Sequence, residues 1–222
     1  MNDKRAYISE AFIPGKWGFT EEIISEDSNG PIKALILEGE MQRAEAPNRN
    51  RRIYSESLLQ RETNKLKEFI RERSGLPCGL DHPIPTMDEQ ASMQMIQRMG
   101  MESTCGLCTQ LEMHNKIVYG KVRVLEGDHS TGDKLGALVR AGFKPGISSR
   151  GIGGKPTYQN ESGFIYVPED FDMITYDFVS SPSTHNAILS QRINEEIEFF
   201  EHISKQHTKT LWSVLTDIKN KY

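Results

Sequence analysis

The segment that most restricts the fold runs from Leu107 to Leu125. Its two halves, LCTQLEM and IVYGKVRVL, are rich in apolar and β-branched residues, and the dipeptide His114-Asn115 lies between them. Asparagine tolerates the backbone geometry of a tight turn, so the pattern predicts a β-hairpin with this dipeptide at its tip. The wider region from Met93 to Leu125 is predicted to be extended. We therefore expect the chain to be built around an antiparallel sheet.

Further strand candidates lie on both sides of the hairpin. The first 45 residues contain WGFTEEIIS and IKALILEGE, and the second half contains GISSRGIGG, GFIYVPE and FDMITYDFV. Two helices are predicted between them. An apolar stripe from Tyr54 to about Arg73 predicts the first, with Ser55 or Ser57 as its N-cap and with Gly75 and Pro77 after its end. TGDKLGALVRAG predicts a shorter one that ends in a left-handed glycine cap at residue 142.

After Pro182 the pattern changes, because apolar residues then recur at helical spacing from Ile188 to Ile203. The sequence therefore predicts the α+β class: a strand-rich body with interleaved helices and a helical C-terminal appendage. We place the main domain at residues 1–185 and the helical segment at residues 186–222. The segment could be removable.

Composition restricts the function classes. The chain has 222 residues, with 27 basic and 31 acidic residues interspersed, which gives a net charge of -4 and no basic surface suited to nucleic acid. No apolar run approaches the roughly 20 residues of a membrane span, and MNDKRAYISE lacks the apolar core of a signal peptide. The three cysteines are an odd count without a secretory signal, so reduced thiols in the cytosol are expected.

Two of these cysteines form the only CxxC motif, Cys105-Gly106-Leu107-Cys108, and Cys78 is the third cysteine. One such pair without a second pair is a weak zinc signal, and alternation along a strand would direct the two thiols to opposite faces. Core or surface thiols are the favoured interpretation. No metal and no other cofactor are expected.

The stretch GISSRG, residues 146 to 151, carries the strongest chemical signal. Its glycines allow a substrate chain to approach closely, and the amides near Ser149 and Arg150 could form an anion-binding nest. A glycine-rich turn between strands is the simpler alternative. A serine nucleophile also requires a base, and His82 in CGLDHPIP is the best placed histidine, with His129 in EGDHSTGDKL as its competitor.

Four stretches in this order carry a resemblance to a known family: NRNRRIY at 48–54, GLDHP at 79–83, EGDHSTGDKL at 126–135 and RAGFKPGISSRGIG at 140–153. They resemble the prohead core proteases of the T-even group of tailed bacteriophages. The likeness extends from about residue 35 to DFVSSPS at 177–183. It implies a maturation protease that digests the internal scaffold and trims the shell proteins. It also implies a barrel-like sheet wrapped by helices, as in the herpesvirus assemblin proteases.

Carried over residue by residue, the resemblance makes His82 the general base and Ser148 the nucleophile, with Ser149 as the rival hydroxyl. Asp177 falls where the phage family has an acidic residue, whereas the herpesvirus relatives use a second histidine, so His129 stays a candidate for the third position. Asp81 is neither favoured nor excluded. Backbone N-H groups near Ser149, Arg150 and Gly151 are expected to bind the oxyanion, and the side chain of Arg150 to add positive charge.

The resemblance also implies cleavage after glutamate, with a large aliphatic residue two places earlier and a small residue after the cut. Ile8-Ser9-Glu10 followed by Ala11 fits this pattern, so Glu10 is the expected self-cleavage site. Ile36-Leu37-Glu38 fits as well but lies in a predicted strand, and Glu195 is followed by the poorly matching Glu196.

Protein substrates are thus the expected partners, with no nucleic acid and no membrane, inside the assembling prohead in the host cytoplasm. A homo-oligomer is compatible with a protein that acts inside a capsid shell. The alternative is a non-catalytic assembly or scaffold-binding protein whose GISSRG segment binds a partner. A catalytic serine, a histidine and a third polar group brought together would distinguish the two, since a binding module has no need of all three.

Overall fold

Antiparallel strands dominate the computed structural model, which describes residues 6–12, 18–27, 30–48, 50–84, 86–127, 129–154, 157–158 and 163–180. The strands in this part of the chain are β1 (Ala6–Phe12), β2 (Gly18–Asp27), β3 (Gly30–Arg43), β4 (Arg52–Ile53), β5 (Leu76–Gly79), β6 (Thr104–His114), β7 (Ile117–Val124), β8 (Gly146–Gly153), β9 (Thr157–Tyr158), β10 (Ile165–Tyr166) and β11 (Asp172–Val179). The α-helices are α1 (Glu56–Arg73), α2 (Glu89–Gln97) and α3 (Thr131–Arg140).

The predicted hairpin is confirmed as β6 and β7, and it forms the middle of a five-stranded antiparallel sheet in the order β2-β3-β7-β6-β5. Its tip lies one residue later than predicted. His114 still pairs with Ile117, while Asn115 and Lys116 have positive φ angles of 47° and 68°. The turn therefore consists of Asn115 and Lys116, because these two residues adopt the left-handed geometry that a two-residue hairpin loop requires.

A second sheet has the order β1-β8-β11, with both outer strands antiparallel to β8. An isolated parallel bridge between Leu80 and Phe178 connects it to the first sheet just beyond the end of β5. Across this junction Asp81 N-H donates to the Phe178 carbonyl at 2.7 Å, while Leu80 N-H donates to the Ser103 carbonyl, just before β6 of the first sheet, at 2.9 Å. The three short strands β4, β10 and β9 form a separate small sheet.

Helix α1 begins and ends close to the predicted bounds. Ser55 is the N-cap, and its hydroxyl accepts the Leu58 N-H at 3.2 Å. At the other end Ser74 adopts the left-handed conformation with φ 60°. The predicted apolar stripe is buried on its core side, with Leu58, Leu59 and Leu66 at most 3% exposed. Burial of this face is what holds the helix against the sheets.

Helix α3 ends in the glycine cap that was predicted. Gly142 has φ 87°, its N-H donates to Val139, and Phe143 N-H donates to Leu138, both at 2.9 Å. These two bonds are the pair that defines a Schellman motif.

The extended prediction for Met93 to Leu125 is wrong at its start, because Met93 lies in helix α2. Asp88 is the N-cap, and its carboxylate accepts the N-H groups of Gln90 and Ala91 at 2.8 and 3.0 Å. An aspartate cap satisfies the N-H groups that a helix start leaves without partners, so the local chemistry favours a helix.

The strand-rich class with interleaved helices is confirmed, and the likeness to herpesvirus proteases stays a prediction. All described residues belong to one compact unit, Met1–Leu189. The predicted helical segment at 186–222 lies outside the described residues. None of the helices in the described ranges is long and apolar enough to cross a membrane.

Candidate active site

The GISSRG stretch is the start of strand β8, which lies between β1 and β11. All eight residues of β8 are buried. Since an extended strand directs its N-H groups into neighbouring ladders, the predicted anion-binding nest is not formed, and neither is the glycine-rich turn. Gly151 allows close packing: a Cβ there would lie 2.4 Å from Phe171 Cζ and 2.7 Å from the Asp172 carbonyl oxygen.

The structure brings His82 and Ser148 into direct contact. His82 Nε2 lies 2.5 Å from Ser148 Oγ. His82 follows Asp81, whose positive φ of 63° turns the chain immediately after the sheet junction. The side chain of His82 remains 19% exposed, whereas Ser148 is fully buried. The junction between the sheets therefore aims the imidazole at the hydroxyl on β8.

Asp177 completes a chain of three polar groups. It lies directly opposite Ser148 in the pairing of β11 with β8. Its Oδ2 is 2.7 Å from His82 Nδ1, and its Oδ1 accepts the Gly79 N-H at 3.0 Å. The carboxylate is completely buried. Because an acceptor on Nδ1 leaves Nε2 free to take a proton from the serine, this geometry is suited to general-base catalysis.

Arg150 lies in the site, but its side chain faces Asp177 and does not add charge to an oxyanion as predicted. Its Nε donates to Asp177 Oδ2 at 2.8 Å and its Nη2 to Oδ1 at 3.2 Å. Its Nη1 donates to the carbonyls of Ile96 and Arg98, at the end of α2, at 2.9 and 3.0 Å. The guanidinium is 3% exposed, so it balances the charge of the buried carboxylate.

The contact of Arg150 with Asp177 was not predicted, and the sequence carries only part of the signal for it. Ser148 and Arg150 are two residues apart on one strand, so alternation places them on the same face. That much could be inferred from the sequence. The hydrogen bonds from the guanidinium to the carbonyl groups at the end of α2 could not be predicted, because this segment was expected to be a strand.

The rival candidates lie elsewhere. Ser149 is adjacent to Ser148 on the strand and therefore points to the opposite face. Its buried hydroxyl has no hydrogen-bond partner within the described residues. His129 has a side chain that is 94% exposed and is 3.8 Å from Asp133. Asp81 is exposed. The three-group chain therefore contains Asp177 as its third member, and His129 is not part of it.

The predicted self-cleavage site lies in β1. Glu10 pairs with Ser149 and Ala11 pairs with Ser148. The second matching sequence, which ends at Glu38, lies inside β3 as predicted and pairs with β2 and β7. The third, at Glu195, lies outside the described residues.

The cysteines are core residues. Cys78, Cys105 and Cys108 are fully buried, and none of the three is in a disulfide. Burial raises the pKa of the Cys108 thiol to about 12 and that of Cys78 well above its usual value. Across the described ranges there is no group of three or more His, Cys, Asp or Glu side chains arranged to hold a metal ion.

Comparison with known proteins identifies the family. The profile of the prohead core protein serine proteases matches residues 12–198. The prohead core protein protease of Enterobacteria phage T4 is 35% identical over 185 residues, which cover 77% of this chain and 79% of the relative. The solved structure of the bacteriophage T4 capsid assembly protease is similar with a TM-score of 0.61 and 28% identity, covering 79% of this chain and 98% of that one. The resemblance inferred from the four motifs is thus confirmed, and this chain belongs to the family of prohead core protein serine proteases.

Proposed function

We propose that this protein is the serine endopeptidase of phage capsid maturation, with Ser148 as nucleophile, His82 as general base and Asp177 as the residue that orients the base. The observation that carries the proposal is the continuous chain from Ser148 Oγ through His82 to Asp177, with links of 2.5 and 2.7 Å. Ser148 lies on β8, His82 lies in the loop that follows β5, and Asp177 lies on β11. A binding module has no need of such a chain, which weighs against the non-catalytic alternative.

The reaction follows from this geometry. His82 Nε2 takes the Ser148 proton as Oγ attacks the scissile carbonyl carbon, and Asp177 stabilises the imidazolium that forms. The imidazolium then gives its proton to the leaving amine, which leaves an ester on Ser148. Water, deprotonated by the same imidazole, hydrolyses the ester and restores the serine. Because no nest is preformed beside Ser148, the donors to the oxyanion are proposed to be backbone N-H groups near Ser149 and Arg150 that leave their strand pairing when a substrate binds.

The substrates follow from the family. The T4 relatives are a prohead core protein protease and a capsid assembly protease. We extend this role to the present chain: it acts inside the assembling prohead, in the host cytoplasm, on scaffold core and shell proteins. Cleavage after glutamate, with leucine or isoleucine two places earlier, is proposed from the family resemblance, and so is self-processing after Glu10.

The experiment is intact mass spectrometry of the purified chain over time, with and without a peptide that contains Ile-Ser-Glu-Ala. The unmutated chain is expected to cut the peptide after glutamate and to shorten itself. Ser148→Ala and His82→Ala should do neither. Ser149→Ala is the matched control, since it removes the neighbouring hydroxyl, which has no hydrogen-bond partner within the described residues, and it should remain active.

Two results would contradict the assignment. If Ser148→Ala still cuts and Ser149→Ala does not, the nucleophile is Ser149. If no form cuts the peptide or the purified scaffold protein, the non-catalytic assembly role replaces the protease.

A further inference from the structure

Strand β11 contains one extra residue where it pairs with β8. Up to Met173, which lies opposite Gly151, the pairing follows one register. From Thr175, which lies opposite Arg150, it follows another. Ile174 is therefore the extra residue of a β-bulge. Bulges are common beside active sites, where they redirect a side chain, and this one lies shortly before the proposed catalytic aspartate.

The bulge decides which residue of β11 faces the proposed nucleophile. In the observed register Asp177 lies opposite Ser148. If the register of Met173 continued without a shift, each later residue would move by one position. Tyr176 would then lie opposite Ser148, and the aspartate would lie opposite Ile147. Because side chains alternate along a strand, the carboxylate would point to the other face of the sheet, away from the proposed general base.

Helix α1 binds the backbone of β11 at this bulge. Glu62 Oε2 accepts the Met173 N-H at 2.8 Å. Lys65 Nζ donates to the Met173 carbonyl at 2.7 Å. Arg61 Nη2 donates to the Phe171 carbonyl at 2.9 Å. The last residue before the bulge thus has both of its main-chain polar groups bound to side chains of one helix.

Glu62 is at the centre of these contacts. Its side chain is only 4% exposed, and a buried carboxylate requires partners. Arg61 Nε donates to its Oε1 at 2.8 Å, and Lys65 Nζ forms an ion pair with its Oε2. Lys65 also pairs with Asp172 at 2.5 Å. A buried ionic cluster therefore lies where the bulge interrupts the regular ladder.

The other side of the bulge is held by β5. Thr175, the first residue of the second register, is fully buried, and its hydroxyl donates to the Pro77 carbonyl at 2.5 Å. Gly79, on the same strand as Pro77, donates its N-H to Asp177. Contacts with α1 thus fix the register before Ile174, and contacts with β5 fix the register after it.

We propose that Glu62 is a positioning residue of this protease: by holding the bulge it keeps Asp177 opposite Ser148. Lys65 assists it. The inference rests on the proposed function. Neither residue of α1 touches the proposed reacting atoms, so their effect passes through the register of β11. Without the Glu62 carboxylate the strand shifts toward a regular ladder, and a displacement of about 1 Å in a catalytic group can cost about 10²-fold in rate.

The direct test is proton NMR of the hydrogen bond between His82 Nδ1 and Asp177. An imidazole N-H that is bound to a carboxylate resonates far downfield of other protons, and this signal does not require turnover. The full chain is used with Ser148→Ala, so that self-digestion does not interfere. The signal is assigned by its absence in His82→Ala.

Glu62→Leu is expected to lose this resonance. Glu62→Gln keeps an oxygen that can accept the Met173 N-H, so this conservative variant should retain it. Ser55→Ala is the matched control, because it weakens the same helix at its cap without touching the bulge, and it should retain the resonance as well.

The second readout is cleavage of the peptide that contains Ile-Ser-Glu-Ala, with Ser148 intact. A misplaced aspartate impairs the chemical step, so Glu62→Leu should lower kcat by about 10²-fold with KM changed by about twofold or less. Melting curves verify that each variant is folded at the assay temperature.

Deletion of Ile174 tests whether Glu62 acts through the register. Without the extra residue, a single regular register keeps the remaining pairs of the two strands, including Asp177 with Ser148. The deletion variant should therefore retain the resonance, and adding Glu62→Leu to it should change nothing. Loss of the resonance in the deletion variant, or only after Glu62→Leu is added to it, refutes the register argument.

The remaining outcomes separate this inference from the proposed function. If Glu62→Leu keeps both the resonance and the cleavage rate of the unmutated chain, the protease stands and the positioning role is refuted. If Glu62→Leu loses the resonance but no form of the chain cuts, the bulge does hold Asp177 beside His82. The proposed function then fails, and the role of Glu62 in catalysis fails with it.

Discussion

Arg150 is predicted to be essential for stability as well as for activity, and the size of the effect follows from its contacts. Arg150→Met removes the guanidinium but keeps much of the volume. It leaves the buried Asp177 carboxylate without its counter-charge, and it leaves the carbonyls of Ile96 and Arg98 without this donor. Removing one partner of a buried ion pair costs about 3–5 kcal/mol. Because whole domains are stable by only about 5–15 kcal/mol, we expect a large loss of unfolding free energy.

A double-mutant cycle distinguishes the ion pair from general packing. The corners are Arg150→Met, Asp177→Asn and the double variant, all in a Ser148→Ala chain so that self-digestion does not interfere. Asparagine retains an oxygen for the Gly79 N-H but carries no charge. Each single change leaves one buried charge unpaired, whereas the double change leaves none. Urea unfolding should show the double variant more stable than the sum of the single changes by about 1.5 kcal/mol or more. Additivity within about 0.5 kcal/mol would refute the ion-pair argument.

Four further outcomes follow from packing and burial. Gly151→Ala should lower the unfolding free energy by roughly 1–3 kcal/mol, because the new Cβ would overlap Phe171 and the Asp172 carbonyl; an unchanged urea midpoint would contradict this packing. Ser55→Ala should cost about 1 kcal/mol through loss of the α1 cap, measured in the same way. The three buried thiols should react with a disulfide reagent only on unfolding. Since burial raises the pKa of Cys108 from 9.0 to about 12, stability should decline as pH rises above about 9.

Local chemistry was sufficient to predict the elements whose signals lie within a few residues. The cap of α1 at Ser55 and the glycine cap of α3 at residue 142 are both confirmed. The error at α2 concerns a signal of the same local kind, since the Asp88 cap is present in the sequence but was not used for the prediction. The tip of the β6-β7 hairpin was misplaced by one residue, because asparagine and lysine share the left-handed geometry there.

Contacts between distant segments could not be predicted in this way. Ser148 and His82 are 66 residues apart, and His82 and Asp177 are 95 apart. The sequence motifs indicated these residues only through the family resemblance, and no local sequence pattern predicts that their side chains are in contact. The pairing of β1 with β8 is of the same kind. The register of β1 depends on which strand occupies that edge of β8 in the folded sheet. The glutamate before the predicted cut, by contrast, can be recognised from the seven residues of β1 alone.

The edge of β8 that pairs with β11 carries both the sheet junction and the proposed active site. On this edge, β11 brings Asp177, and the Leu80–Phe178 bridge brings Gly79 and His82 to the same carboxylate. There is no spare room at this junction, because a Cβ on Gly79 would lie 2.8 Å from Asp177 Oδ1. The junction between the sheets and the proposed catalytic geometry thus depend on the same set of contacts, so opening this edge would destroy the proposed site.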